Sequence, residues 1–176
     1  MNTNIKISKL DAAKRQLETA ILLYFNSADP VSIHTLTGAA HGILTDLIEN
    51  KGGSSLIKLY VKTGIKKEFQ IEIGKKITLA RNHFKHANQN PDFVLDFNPE
   101  GNDIFLHDAC TMYQALTSER IPYLDIFISW YVMHNQNFFD LPSEDKKLFK
   151  EFLNVSKMDF LTQTLSARSH YAHLIK

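Results

Sequence analysis

The sequence predicts an all-α protein, a bundle of about six or seven helices. Apolar residues recur at three- and four-residue steps through most of the chain, which is the period of an α-helix. Helix starts and stops separate these stretches, namely Ser8, Asp29-Pro30, Gly52-Gly53, Pro122 and Pro142. Because 176 residues is the length of one domain, we take 1–176 as a single helical domain.

Each of the first two helices has a recognisable start. Ser8 with Asp11 three residues later predicts a capping box, and this helix should run to about Asn26. Its apolar stripe is Leu10, Ala13, Leu17, Ile21 and Tyr24. The second helix should begin at Asp29-Pro30 and end at Gly52-Gly53. Its stripe is Ile33, Leu36, Ala40, Ile43, Leu44 and Leu47.

The remaining elements follow from the same signals. A short helical segment is expected over 55–62, and apolar spacing predicts a long helix over 66–87. Residues 88–101, "NQNPDFVLDFNPEG", predict a loop, with "DFVLDF" as an alternative strand pair. Further helices are predicted over 102–117, 121–138 and 143–170, the last with a break near Asn154. The segment around Trp130 is apolar on nearly all sides, which predicts the central helix of the bundle.

Composition excludes some partners and leaves others open. Twenty Lys and Arg against nineteen Asp and Glu leave a formal net charge of +1, so charge neither requires nor excludes nucleic acid. The single cysteine, Cys110, cannot form an internal disulfide, and no apolar leader follows Met1, so we expect a cytoplasmic location. The most apolar stretch, Tyr123 to Met133, is shorter than the roughly 20 residues that span a bilayer. No membrane partner is therefore expected.

Two stretches carry the same arrangement of polar residues. Residues 80–86 read "ARNHFKH" and residues 167–173 read "ARSHYAH", so both follow the pattern A-R-polar-H-aromatic-x-H. In the first stretch, helical geometry places Asn82 and His86 opposite the buried stripe. His86 should therefore face solvent, another part of the chain or a second subunit, whereas Arg81 and His83 flank the stripe.

The first stretch resembles the signature of the HEPN family, a group of small all-α nucleases and nucleotide-binding proteins. That signature is an arginine, commonly followed by a polar residue, with a histidine four to six intervening positions later. The matching residues are Arg81, Asn82 and His86, with Arg168, Ser169 and His173 as a second copy. The resemblance implies a metal-independent endoribonuclease that needs no cofactor. The ribose 2′-hydroxyl would attack the adjacent phosphate, while the histidine transfers a proton and the arginine binds the phosphate charge.

The residue types suit this chemistry. Imidazole exchanges a proton near neutral pH, and guanidinium offers a planar fork of donors to phosphate oxygens. The resemblance also implies RNA as a partner and a homodimer, because HEPN proteins usually pair two motif-bearing helices across a dimer. A chain with two copies would permit internal pairing where the two helices are neighbours. Family members usually place an acidic residue near the arginine, for which Asp46 or Glu49 is the candidate.

The same histidines support a second interpretation. His83 with His86, and His170 with His173, are three residues apart, a spacing that lets both imidazoles of a pair reach one ion. Four such nitrogens would suit a divalent transition metal such as zinc, copper or nickel, or iron with added carboxylates. Neither pair carries the glutamate of the helical zinc-hydrolase motif.

A third interpretation is a non-enzymatic helical module that binds a small ligand or a protein partner. His34 and His41 share one helix face, about 10 Å apart along the axis, and are interpreted as polar-face residues. The start of the chain, "SKLDAAKRQLETAILLYFNSADPVSIHTL", also resembles uncharacterised bacterial proteins with no assigned role. That second resemblance implies no chemistry.

Overall fold

The computed structural model describes residues 4–54, 67–86, 90–139 and 141–172. These residues contain seven α-helices and no strand, which confirms the all-α prediction. In chain order the helices are α1 (Lys9–Phe25), α2 (Pro30–Glu49), α3 (Lys67–His83), α4 (Gly101–Thr117), α5 (Pro122–His134), α6 (Ser143–Phe152) and α7 (Lys157–Ala172). A short 3₁₀ turn, Gln136–Phe138, follows α5. The predicted segment 55–62 lies outside the described residues.

The predicted caps of the first two helices are confirmed. The Asp11 backbone N–H donates to Ser8 Oγ at 3.0 Å, and the Ser8 backbone N–H donates to the Asp11 carboxylate at 3.0 Å. Asp29 caps α2 by accepting from the Ser32 backbone N–H at 2.8 Å. Beyond α2, Gly52 has a φ of 77°, a left-handed conformation that glycine adopts without steric penalty.

The predicted break near Asn154 is confirmed, because the stretch predicted over 143–170 forms two helices, α6 and α7, on either side of it. The signal for the restart was in the sequence. Ser156 Oγ accepts from the Asp159 backbone N–H at 3.2 Å, the same Ser-x-x-Asp pattern that starts α1. A side chain that satisfies a free backbone N–H favours a new helix at this point.

Two further helix ends lie earlier than predicted. Helix α3 ends at His83 and α5 ends at His134. In α5 the Asn135 side chain donates to the Tyr131 carbonyl at 2.8 Å, which competes with continuation of the helix. The alternative strand pair in the loop after α3 is also wrong, because 93–98 have no regular secondary structure.

The core lies between α1, α2, α4 and α5. Helix α7 packs against α1 and α5, and α3 packs against α2. The largest fully buried side chains are Phe25, Phe105, Phe127, Leu17, Ile21, Leu44, Leu106, Leu124, Ile126 and Met133. Trp130 is buried in α5, as expected for a helix in the middle of the bundle. In the described part of the chain, no helix is long and apolar enough to cross a membrane.

Candidate functional site

Arg81 lies across α2 at Gly38. A Cβ added to Gly38 would meet Arg81 Cγ at 3.3 Å and Cδ at 3.5 Å, with the ring of Phe105 at 3.7 Å. The lack of a side chain at Gly38 therefore lets the aliphatic part of Arg81 pack close to the α2 backbone. Arg81 is half-buried, so part of its side chain remains accessible to solvent.

The other polar residues of this motif have the orientations that the sequence predicted. Asn82 and His86 are exposed, and His83 is half-buried with its ring 5.6 Å from that of Phe93. The His86 backbone N–H still donates to the Asn82 carbonyl at 3.0 Å, so the helical hydrogen bonding continues just beyond α3. Asn82 and His86 are thus available to a ligand on the solvent side of this helix end.

The Arg81 guanidinium has no anionic partner among the residues that the structure describes, and it donates no hydrogen bond to them. Neither Asp46 nor Glu49 pairs with it, although both are exposed on α2. An acidic residue near the arginine, supplied by Asp46 or Glu49, therefore stays a prediction. A half-buried cation without a counter-charge is less well solvated than one in water, which favours binding of an anion at this place.

A buried histidine lies beside this arginine. His34 is only 3% exposed, and its Nδ1 is 2.8 Å from Asn102 Oδ1, while the Asn102 amide donates to the Pro30 carbonyl at 3.0 Å. Since the Asn102 oxygen can only accept, the His34 proton is on Nδ1 and Nε2 is an acceptor. That Nε2 is buried and makes no hydrogen bond of good geometry, although the Ile77 backbone carbonyl of α3 is close enough to interact with the ring. Burial, together with the charge of Arg81, lowers the pKa of His34 and keeps the ring neutral.

A second histidine of α2 is tied to α4. His41 Nε2 lies 2.9 Å from the Asp108 carboxylate, which is 1% exposed, and His41 Nδ1 lies 3.2 Å from Thr45 Oγ1. Both ring nitrogens are engaged, so the ring is fixed in orientation. The interpretation of His34 and His41 as solvated polar-face residues is therefore wrong, because one is buried and the other pairs with a buried acid.

The arginine of the second motif, unlike Arg81, is paired with a carboxylate. Arg168 donates to the buried carboxylate of Asp125 in α5 at 2.9 Å. Arg120 donates to the same oxygen at 3.2 Å, and Gln114 donates to the other oxygen at 2.6 Å. The charge of Arg168 is therefore compensated within the protein, and its described contact attaches α7 to α5.

The described parts of the two motif helices pack on different neighbours, α3 on α2 and α7 on α1 and α5. His173 and the side chains of Ser169 and His170 lie outside the described residues, so internal pairing of the motifs stays a prediction. The metal site formed by His83, His86, His170 and His173 also stays a prediction. Among the residues that were described, no group of three or more His, Cys, Asp or Glu is placed to hold a metal ion.

The burial of the polar residues of α2 and α4 was not predicted from the sequence. A signal was present, because His34, Gly38, His41 and Thr45 follow one another at three- and four-residue steps and so share a face of α2.

Cys110, by contrast, is fully buried, and burial raises the pKa of its thiol, which makes it a poor nucleophile.

Comparison of the chain with protein-family models, curated proteins and solved structures yields no match.

Proposed function

We propose that the protein cleaves RNA at the end of α3 by a metal-independent reaction of the HEPN type. The observation that carries this proposal is the Arg81 guanidinium, half-buried and without an anionic partner among the described residues, beside the exposed Asn82 and His86. A phosphodiester supplies the missing negative charge, and guanidinium binds it through two parallel hydrogen bonds.

The proposed reaction needs no group beyond those of the protein and the RNA. The ribose 2′-oxygen attacks the adjacent phosphorus, the bond to the 5′-oxygen breaks, and a 2′,3′-cyclic phosphate and a 5′-hydroxyl form. Arg81 neutralises the charge that grows on the phosphate oxygens, and Asn82 donates a hydrogen bond to them. His86 transfers one proton, because imidazole exchanges protons near neutral pH.

A complete cycle moves two protons, one from the 2′-hydroxyl and one to the departing 5′-oxygen. One exposed histidine performs one of these transfers at a time. We therefore include a homodimer in the proposal, in which the end of α3 from a second copy of the chain supplies the other histidine. The exposure of His86 and Asn82 leaves this face open to such a partner.

The test is cleavage of end-labelled RNA oligonucleotides of mixed sequence by purified protein in the presence of excess EDTA. We expect a product with a 2′,3′-cyclic phosphate end, and no cleavage where the 2′-hydroxyl is replaced by hydrogen. Arg81→Met and His86→Ala should each lower the rate at least 100-fold. Lys85→Met is the matched control, because it removes a positive charge from an exposed position between them and should change the rate less than threefold.

Two results would contradict the proposal. One is the absence of cleavage by the wild-type protein over the whole oligonucleotide set. The other is cleavage that persists in both Arg81→Met and His86→Ala, which would point to a contaminating nuclease or to another site. Cleavage that occurs without EDTA and is abolished by EDTA would instead favour the histidine metal site.

A further inference from the structure

A cleft of about 320 Å³ opens where the α1–α2 turn meets the starts of α4 and α7. Its lining includes Tyr24, Pro30, Ile33, Glu100, Asp103 and Lys157. Pro30 and Gly38 are eight residues apart on α2, about 12 Å along the helix axis, so the Pro30 end of the cleft lies away from the place where Arg81 crosses α2. Asn102, which also lines the cleft, binds His34 on the side of Arg81. The proposed ribonuclease reaction uses none of its charged residues.

A chain of hydrogen bonds fixes the acidic side of the cleft. Trp130 Nε1 donates to the Tyr24 hydroxyl at 3.3 Å, and that hydroxyl donates to Asp103 Oδ2 at 3.0 Å. The second oxygen of Asp103 has no hydrogen-bond donor among the described residues. Since Tyr24 and Trp130 are buried, the carboxylate is held in one orientation with a free acceptor.

The basic side of the cleft is Lys157, the first residue of α7. Its Nζ lies 3.5 Å from the centroid of the Tyr24 ring, a cation–π contact that places the ammonium group over the same tyrosine. It forms no ion pair and donates no hydrogen bond within the described part of the chain. An ammonium group has three donors, so Lys157 retains donors for a ligand.

Asp103 and Lys157 are therefore neighbouring opposite charges that do not neutralise each other by direct contact. Burial raises the pKa of Asp103 and lowers the pKa of Lys157. Both directions mean that each charged form is less stable here than in water. A ligand that carries both an anionic and a cationic group would compensate both of these losses.

We infer that this cleft binds a small zwitterion of the α-amino acid class, with its carboxylate on Lys157 and its ammonium group on Asp103. Glu100, three residues before Asp103, also lines the cleft and acts as a second negative charge near the Asp103 carboxylate. The aliphatic walls formed by Pro30, Ile33 and Pro99 fit an apolar side chain. A simple amine would place no anionic group on Lys157, and a simple carboxylic acid would place no cationic group on Asp103.

The experiment screens the common amino acids by thermal shift and then measures the best binder by calorimetry. The same titration is made with the matched amine, which lacks the carboxylate, and with the matched carboxylic acid, which lacks the amino group. Binding of the amino acid should be at least tenfold tighter than that of either analogue. It should weaken at least tenfold in Lys157→Met and in Asp103→Asn.

Matched controls come from exposed charges of α6. Lys150→Met and Glu151→Gln remove the same kinds of charge from the surface and should leave the affinity unchanged. Lys157→Arg keeps the positive charge and should retain measurable binding, which separates loss of a contact from loss of folding. The inference is overturned when no amino acid binds, when both analogues bind as well as the zwitterion, or when affinity is unchanged in folded Lys157→Met.

Discussion

Arg168 of α7 and Asp125 of α5 form an ion pair, in which Arg168 Nη2 lies 2.9 Å from Asp125 Oδ2. The equivalent arginine of the first motif, Arg81, has no such partner among the described residues. Two stretches that match in sequence therefore contain one arginine that is paired with a carboxylate and one that is not, among the described residues. One arginine joins two helices, and the other retains its capacity to bind an anion.

Replacement of the two arginines should separate stability from activity. Arg168→Met removes a hydrogen bond to a buried carboxylate, but Arg168 is partly exposed and Arg120 still pairs with Asp125, so we expect a loss of about 1 kcal/mol. Arg81→Met keeps the aliphatic packing on Gly38 and should change the unfolding free energy by less than about 0.5 kcal/mol. Urea denaturation measures both values. An equal loss of stability in both variants would mean that Arg81 is also a structural residue.

Two glycines of α2 test the close approach of Arg81. Gly42→Ala should stabilise the protein by about 0.8–1 kcal/mol, because alanine favours a helix and no described atom lies within 4 Å of the new methyl group. Gly38→Ala should stabilise it less, since the methyl group meets Arg81 Cγ at 3.3 Å and displaces that side chain. RNA cleavage should fall in Gly38→Ala alone. Equal stabilisation and full activity in both variants would show that the contact between Gly38 and Arg81 affects neither stability nor RNA cleavage.

His107 should make stability depend on pH. Its ring stacks on Tyr131 at 4.2 Å, and burial lowers the pKa of His107 from 6.5 to about 4. On acidification the unfolded chain binds this proton first, so the contribution to stability is complete above pH 6.5 and is lost as the pH falls towards 4. The full effect is about 3 kcal/mol.

Replacement of His107 by phenylalanine removes this titration and keeps an aromatic ring beside Tyr131. The unfolding free energy of His107→Phe, measured by urea denaturation between pH 7 and 4.5, should fall less steeply than that of the wild-type protein. Parallel curves for the two proteins would contradict the assignment of a lowered pKa to His107.

The Tyr24 hydroxyl should contribute to stability through its two hydrogen bonds. Tyr24→Phe leaves Trp130 Nε1 without an acceptor and Asp103 without its donor, so we expect a loss of about 1–3 kcal/mol. Tyr123→Phe is the matched control on α5, where no such bond is lost, and should change stability by less than about 0.5 kcal/mol. Thermal or urea unfolding measures the loss of stability in each of the two variants. An effect no larger than that of the control would mean that water replaces these bonds.

The amino-acid sequence alone determined the helices, because their signals are local. Apolar residues at three- and four-residue steps, the capping residues Ser8 and Asp29, and the left-handed Gly52 act within a turn or two of the chain. The same periodicity placed Asn82 and His86 on the exposed face of their helix. The signal for the break before α7 was also local, since Ser156 repeats the cap of α1.

The tertiary structure alone decided which polar groups meet. His34 pairs with Asn102 across 68 residues, His41 with Asp108 across 67, and Arg168 with Asp125 across 43. A helical period specifies which face of a helix is buried, but it does not specify the helix that covers this face. Whether a histidine is solvated or buried, and whether an arginine is paired, therefore depends on the packing of elements that are distant in the chain.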